Sequence, residues 1–115
     1  MKYAVERASD ADRDLDMIFD FLIESYAAFG DDMAGAIGRA ADRLQEIHVA
    51  MEALGDAPHQ GTLLTEFRVG LRSVTKGRAI FYFEADDRRR VVRVLAVFFG
   101  GQDHRARMLM RLLGD

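Results

Sequence analysis

Residues 70–101, GLRSVTKGRAIFYFEADDRRRVVRVLAVFFGG, decide the fold. The stretch divides at its turn residues. Leu71 to Thr75 is followed by a turn at Lys76-Gly77, and Arg78 to Glu84 by a turn at Asp86-Asp87-Arg88-Arg89. A third segment, Val91 to Phe99, then stops at Gly100-Gly101. Beta-branched and aromatic residues dominate all three segments, and both connections are short enough for antiparallel hairpins. Val91 to Phe99 is apolar except for Arg93, so it is expected to be the central, most buried strand.

The residues upstream of this meander carry a different period. Residues 2–8 alternate loosely and read as a short strand. Ser9 is a suitable N-cap with Asp12 three residues on, and Asp10, Asp12 and Asp14 place negative charge in the first turn, where it offsets the helix dipole. Leu15, Ile18, Phe19, Leu22, Ile23 and Tyr26 follow the spacing of a helix with one buried face, ended by Gly30. Asp31 or Asp32 caps a second helix. There Met33, Ile37, Ala40, Leu44, Ile47, Met51 and Leu54 step by four and three, the seam spacing of close antiparallel helices. A connection of about four residues forces the pair into a hairpin. Gly55 and Pro58 stop the second helix, and a short strand is expected near Leu63 to Phe67. His104 to Leu113 reads as a last short helix with Met108, Leu109 and Leu112 inward. The expected class is α+β, in the order β-α-α-β-β-β-α: a helix hairpin packed on an antiparallel sheet of three to four strands, one domain over residues 1–115.

Composition narrows the function classes. A chain of 115 residues can bury one core without metal or disulfide staples, and it has no cysteine, which fits a reducing compartment. The longest clean apolar run, Val94 to Phe99, is far shorter than the ~20 residues of a membrane helix, and the N-terminus lacks the apolar stretch of a signal peptide. A soluble cytoplasmic protein is expected. Residues 1–60 carry five basic against thirteen acidic side chains, net −8, and residues 61–115 eleven against six, net +5. The overall −3 therefore hides a dipolar molecule whose halves can attract different partners. No cofactor or metal is expected. His48 and His59 have no companions at ligand spacing, the aspartates at 10, 12, 14, 16 and 20 lack a calcium loop's glycine and distal glutamate and read as a solvated face, and Gly100-Gly101 is not followed by the residues of a phosphate loop.

Several short matches fall in order along the chain. Ala11-Asp12-Arg13-Asp14-Leu15-Asp16-Met17-Ile18 fits an A-x-x-D-L-x-x-I pattern after the Tyr3–Ser9 strand. Pro58 with Gly61 fits P-x-x-G, Leu71-Arg72-Ser73 an L-R strand start, Ile80-Phe81-Tyr82-Phe83 an I-x-Y strand, and Val92 to Phe98 a last strand. Together these resemble the RelE/ParE superfamily of toxins from bacterial type II toxin–antitoxin pairs. The long hairpin and the ending Phe98-Phe99-Gly100-Gly101-Gln102-Asp103 are similar to the ParE branch. Messenger-RNA-cutting members of the RelE branch are usually strongly basic, often with a tyrosine or histidine near the C-terminus. This chain has no tyrosine after Tyr82 and a pI near 5.6.

The resemblance implies a growth-inhibiting toxin that binds DNA gyrase without catalysis and is neutralised by a cognate antitoxin, free as a homodimer or assembled with antitoxin as a hetero-oligomer. Partner contacts are expected at Leu22 and Tyr26 on the hairpin, at Arg72, Arg78, Tyr82 and Arg93 on the meander, and at Arg105. The antitoxin's amphipathic helix would lie beside the hairpin and its continuation along the sheet, with acidic residues toward the basic meander. The alternative is a ribosome-dependent endoribonuclease acting on messenger RNA without metal. His104 would then be the general acid or base, and Arg72 and Arg93 would steady the phosphate as charge builds. A third reading is an inactive domain that binds antitoxin only. Arg72 is expected on an exposed sheet face, free for two-pronged recognition of phosphate or carboxylate. Arg93 must reach solvent or a partner from its apolar strand, and could share a concave basic surface with Arg72. Arg88-Arg89-Arg90 reads as a solubilising hairpin tip.

Overall fold

The computed structural model describes residues 2–100 and 103–114. Strand β1 (Ala4–Arg7) leads into helices α1 (Ser9–Ala28) and α2 (Met33–Glu52). A 3-10 turn (Ala53–Asp56) precedes β2 (Thr62–Leu63), β3 (Leu71–Lys76), β4 (Ala79–Asp86), β5 (Val91–Phe99) and α3 (His104–Gly114). The α+β class and the element order agree with the sequence reading. The sheet is wider than three or four strands: it has five, in the order β1-β5-β4-β3-β2. It is also not wholly antiparallel, because β1 runs parallel to β5, pairing Ala4 with Val91 through Arg7 with Val94. β4 holds the middle place and β5 lies between β1 and β4.

Local chemistry explains most boundaries. Asp32 caps α2, its Oδ1 accepting from the Gly35 amide at 2.7 Å. Ser9 does not cap α1. The Ala8 amide donates to the Val94 carbonyl at 2.9 Å, so strand pairing extends to residue 8 and Ser9 is already helical. Asp12, free of a capping box, pairs with Arg7 at 2.8 Å. The expected short strand is Thr62–Leu63 rather than Leu63–Phe67, since the Phe67 and Arg68 amides both turn back to the Leu64 carbonyl. Gly101 of the expected double-glycine stop lies outside the described residues.

The hairpin packs its seam on one sheet face. Leu15, Ile18, Leu22, Ile47, Met51 and Leu54 meet Phe81, Phe83, Val92, Val94, Val97 and Phe99 there. Met33 and Ile37, expected in that seam, are 60% and 43% exposed, because the buried stripe at that end of α2 runs through Ala36 and Ala40. Close approach is needed where the 3-10 turn meets β1: Tyr3 N–H donates to the Gly55 carbonyl at 2.8 Å, and a Cβ on Gly55 would lie 2.2 Å from the Tyr3 carbonyl oxygen.

The opposite sheet face is not open, as the one-faced reading supposed. Leu64, Leu71, Ile80, Tyr82, Ala96, Phe98 and Met108 form a second core under α3. Met108 is buried and Leu112 packs partly, while Leu109, expected inward, is 39% exposed. A β-bulge reconciles β5 with both cores. Tyr82 pairs with Ala96 and Phe83 with Val94, leaving Leu95 as the extra residue. Strands buried on both faces lose polar alternation, which is why Val91 to Phe99 reads as one apolar run.

Candidate functional site

Three groups of polar side chains stand out once the two cores are in place. The first joins three elements at one carboxylate. Asp14 is 6% exposed, although its aspartate-rich surroundings read as a solvated face. Its Oδ2 accepts from the Val97 amide at 3.0 Å and from Arg111 Nη1 at 2.8 Å, while Oδ1 accepts from Arg111 Nη2 at 3.0 Å. A forked guanidinium matches both oxygens of a carboxylate, so α1, β5 and α3 are held together at this point. The solvated-face reading fails here for a periodic reason: residue 14 lies on the same helical stripe as Ala11, Leu15 and Ile18.

The second group lies under the start of α3. Tyr82 is fully buried as a residue, and its hydroxyl meets His104 Nδ1 at 2.8 Å. The Phe98 ring stands edge-on to Tyr82 at 5.8 Å. Burial is the first cause that pushes the Tyr82 phenol above its ordinary value; Arg105 opposes this and Asp103 adds to it. Arg105 lies over the Phe67 ring at 5.2 Å, and Arg107 and Arg111 approach Phe98 at 5.9 and 5.1 Å.

The third group is on the hairpin side, at the sheet end where β1 begins. The Tyr3 hydroxyl donates to Asp87 Oδ1 at 2.8 Å, and His59 Nε2 reaches the same oxygen at 2.7 Å. Arg72 Nη1 donates to the His59 carbonyl at 2.8 Å. Hydrogen bonds from Tyr3, then from His59, hold the Asp87 carboxyl below the usual carboxylate range, and the bond to Asp87 raises the Tyr3 phenol. The sequence showed neither this group nor the Asp14–Arg111 pair as units, since their members are separated by up to 97 positions.

The residues expected to carry chemistry or contact are thus distributed as follows. Arg72 pairs across the sheet with Phe83, a hairpin-side core residue, so it opens toward the hairpin face. Arg93 pairs with Glu84, which pairs with Leu71 of the second core, so Arg93 opens on the opposite face and is exposed. The shared Arg72–Arg93 surface does not form. His104 shares Arg93's face but is engaged with Tyr82. Leu22 is 5% exposed and Tyr82 is fully buried, which leaves little of either side chain for a partner. Tyr26 is half-buried beneath Arg39, whose guanidinium lies 4.1 Å from its ring centroid. Arg78 lies 5.3 Å from the Phe99 ring centroid. At the hairpin tip Arg89 bridges Glu6 at 3.1 Å, so it ties β1 to the β4–β5 turn as well as solubilising it.

No protein-family profile matches the chain, and no curated protein matches it. Solved structures do. A chain of the chromosomal ParDE toxin–antitoxin system from P. aeruginosa superposes with a TM-score of 0.64 at 19% identity, over 87% of this chain and 98% of its own. A chain of the RelBE2 toxin–antitoxin complex from Mycobacterium tuberculosis gives 0.61 at 19% identity, over 86% and 99%. The chain shares the fold of these two chains. The superpositions take in nearly all of both neighbours and more than four-fifths of this chain. The RelE/ParE resemblance seen in the motifs therefore holds at the level of architecture. Among the described residues no helix is long and apolar enough to cross a membrane.

Proposed function

We propose that this protein is the toxin of a type II toxin–antitoxin pair, acting in the cytoplasm by binding DNA gyrase and neutralised by a cognate antitoxin. The fold shared with a ParDE and a RelBE2 chain supports the toxin–antitoxin part. One observation favours binding over catalysis: Arg72 and Arg93 open on opposite faces of the sheet. A metal-independent cleavage of RNA needs its acid–base group and its phosphate-steadying cations around one phosphorus, and Arg72, Arg93 and His104 do not surround one point. A binding toxin has no such requirement. Its contacts can be spread over a surface, with the acidic half and the basic half steering different partners.

The endoribonuclease reading retains one specific support, the Tyr82–His104 pair with Arg105 and Arg107 next to it. Induction of the protein without antitoxin separates the two. The gyrase reading expects a DNA-damage response with intact transcripts, unaltered by His104→Ala. Cleaved transcripts, lost on His104→Ala, would replace it with the nuclease, and no growth defect at all would leave only antitoxin binding.

A further inference from the structure

The side of α2 that meets the β3–β4 turn gathers positive charge with little to balance it. Arg43, Glu46, Ile47 and Ala50 fall at i, i+3, i+4 and i+7, one face of the helix. Lys76 pairs with Ala79 across the sheet, so Gly77 and Arg78 make a two-residue turn, with Gly77 at φ +61°. Between these two elements lies a cleft of about 250 Å³. The Arg43 and Arg78 guanidiniums both lie over the Phe99 ring, 5.6 and 5.3 Å from its centroid. Lys76 lines the same cleft, and among the described residues its ammonium has no partner. Glu46 is the single carboxylate among the described lining residues. It stands 3.8 Å from Arg43 with its side chain 67% exposed, so it holds that guanidinium weakly. Three cations against one carboxylate leave the cleft at +2. Two guanidiniums gathered on one ring, with an ammonium beside them, repel one another, and a bound anion removes that repulsion. The amides of Gly77 and Arg78 are unused within the protein among the described residues, and successive turn amides form anion-binding concavities.

We propose that this cleft binds a phosphomonoester, carried by a free nucleotide or by the 5′-phosphorylated end of a nucleic acid. Charge decides against a carboxylate, which one forked arginine satisfies. A phosphomonoester carries about −1.5 to −2 at pH 7 and offers three acceptor oxygens, which matches the surplus charge and the three cationic side chains. The cleft is smaller than the roughly 300–1,000 Å³ of ordinary ligand pockets. It therefore takes the phosphate and its sugar, the sugar against Ile47 and Ala50, and leaves the base outside. The site is separate from the Tyr82–His104 pair. Ala79 and Phe99 belong to the core on the helix-hairpin face, and Tyr82 to the core on the other.

Adenosine 5′-monophosphate is titrated into the labelled protein and amide shifts are followed by NMR. Saturable shifts are expected at Ala50, Gly77 and Ala79, and cytidine 5′-monophosphate is expected to bind within about threefold of it, since the base lies outside. Adenosine, without the phosphate, is expected to bind at least about tenfold more weakly. Lys76→Gln and Arg43→Gln are each expected to weaken binding about fivefold or more, and Lys76→Arg to keep it. Arg88→Gln, in the β4–β5 turn at the far end of the sheet, should leave it unchanged. Hexathymidylate with and without a 5′-phosphate identifies the source. Phosphate-dependent binding tighter than that of the mononucleotide assigns the cleft to a nucleic-acid end, and weaker binding assigns it to the free nucleotide. No saturable shifts, shifts mapping elsewhere, equal binding of adenosine, or a triglutamate peptide that binds as tightly would overturn the proposal. That failure would leave the proposed function standing, because the titration contains neither gyrase nor antitoxin. Failure of those two to bind would remove the toxin reading and leave the cleft.

Discussion

Replacing Asp14 with alanine probes the least expected contact in the structure. The substitution removes three hydrogen bonds of 2.8 to 3.0 Å made by a side chain that is 7% exposed. The Val97 amide loses its only acceptor among the described residues, a cost of about 1–3 kcal/mol for a backbone donor left unsatisfied. The Arg111 side chain is 28% exposed and can turn toward water, so its share is discounted to about 1 kcal/mol. The total is roughly 3 kcal/mol, at the low end for a broken buried pair, which for a domain of this size lowers Tm by roughly 10 °C. Asp14→Asn keeps an acceptor for Val97 and loses the charge, so about half that loss is expected. Asp16→Ala, on the exposed side of the same helix, is expected to stay within about 0.5 kcal/mol. Urea and thermal denaturation followed by circular dichroism measure all three. If Asp14→Ala proved no more costly than Asp16→Ala, the claim that this carboxylate joins α1, β5 and α3 would be wrong.

Three other outcomes are expected. Tyr82→Phe should cost about 1 kcal/mol and speed amide exchange at the start of α3, because the hydroxyl's bond to His104 is lost; unchanged exchange there would show that the bond does not hold the helix. Burial raises the Tyr82 phenol, so its contribution to stability is complete below the ordinary value of 10 and is lost as pH rises through the higher folded-state value. Tm should therefore fall above about pH 10, less steeply in Tyr82→Phe than in the wild type. Gly61→Ala should destabilise by about 2 kcal/mol or more, since Gly61 has φ +83° and a Cβ would lie 2.3 Å from the Ser73 carbonyl oxygen; a neutral effect in denaturant melts would contradict the close packing of that loop on β3.

The elements with strong periods were legible in the sequence, and what lay between them in space was not. The meander's three strands could be read because turn residues separate runs of beta-branched and aromatic side chains. β1 could be read as a strand, but its parallel pairing with β5 could not, since nothing local in Ala4 to Arg7 names a partner across more than eighty residues. The second core was hidden for a related reason. A run apolar at every position, such as Val91 to Phe99, signals burial on both faces, but the covering element, α3, is short and rich in arginine. Asp14 was the readable miss: its place on the stripe of Ala11, Leu15 and Ile18 marks it as facing inward, and only its charge argued otherwise. Arg72 and Arg93 were read correctly as residues of the meander's first and third strands, yet the bulge at Leu95 and the register that puts them on opposite faces are tertiary facts. The cluster of Tyr3, His59 and Asp87 joins three loops and strand ends, and no spacing rule connects them.

The most direct test of the account mixes purified protein with purified DNA gyrase and relaxed plasmid and follows supercoiling as the protein is added. The account predicts inhibition that saturates as protein is added, is retained by His104→Ala, and is relieved by antitoxin. Supercoiling that proceeds unchanged at large excess of protein, while ribosome-bound messenger RNA is cut by the same preparation, would contradict it.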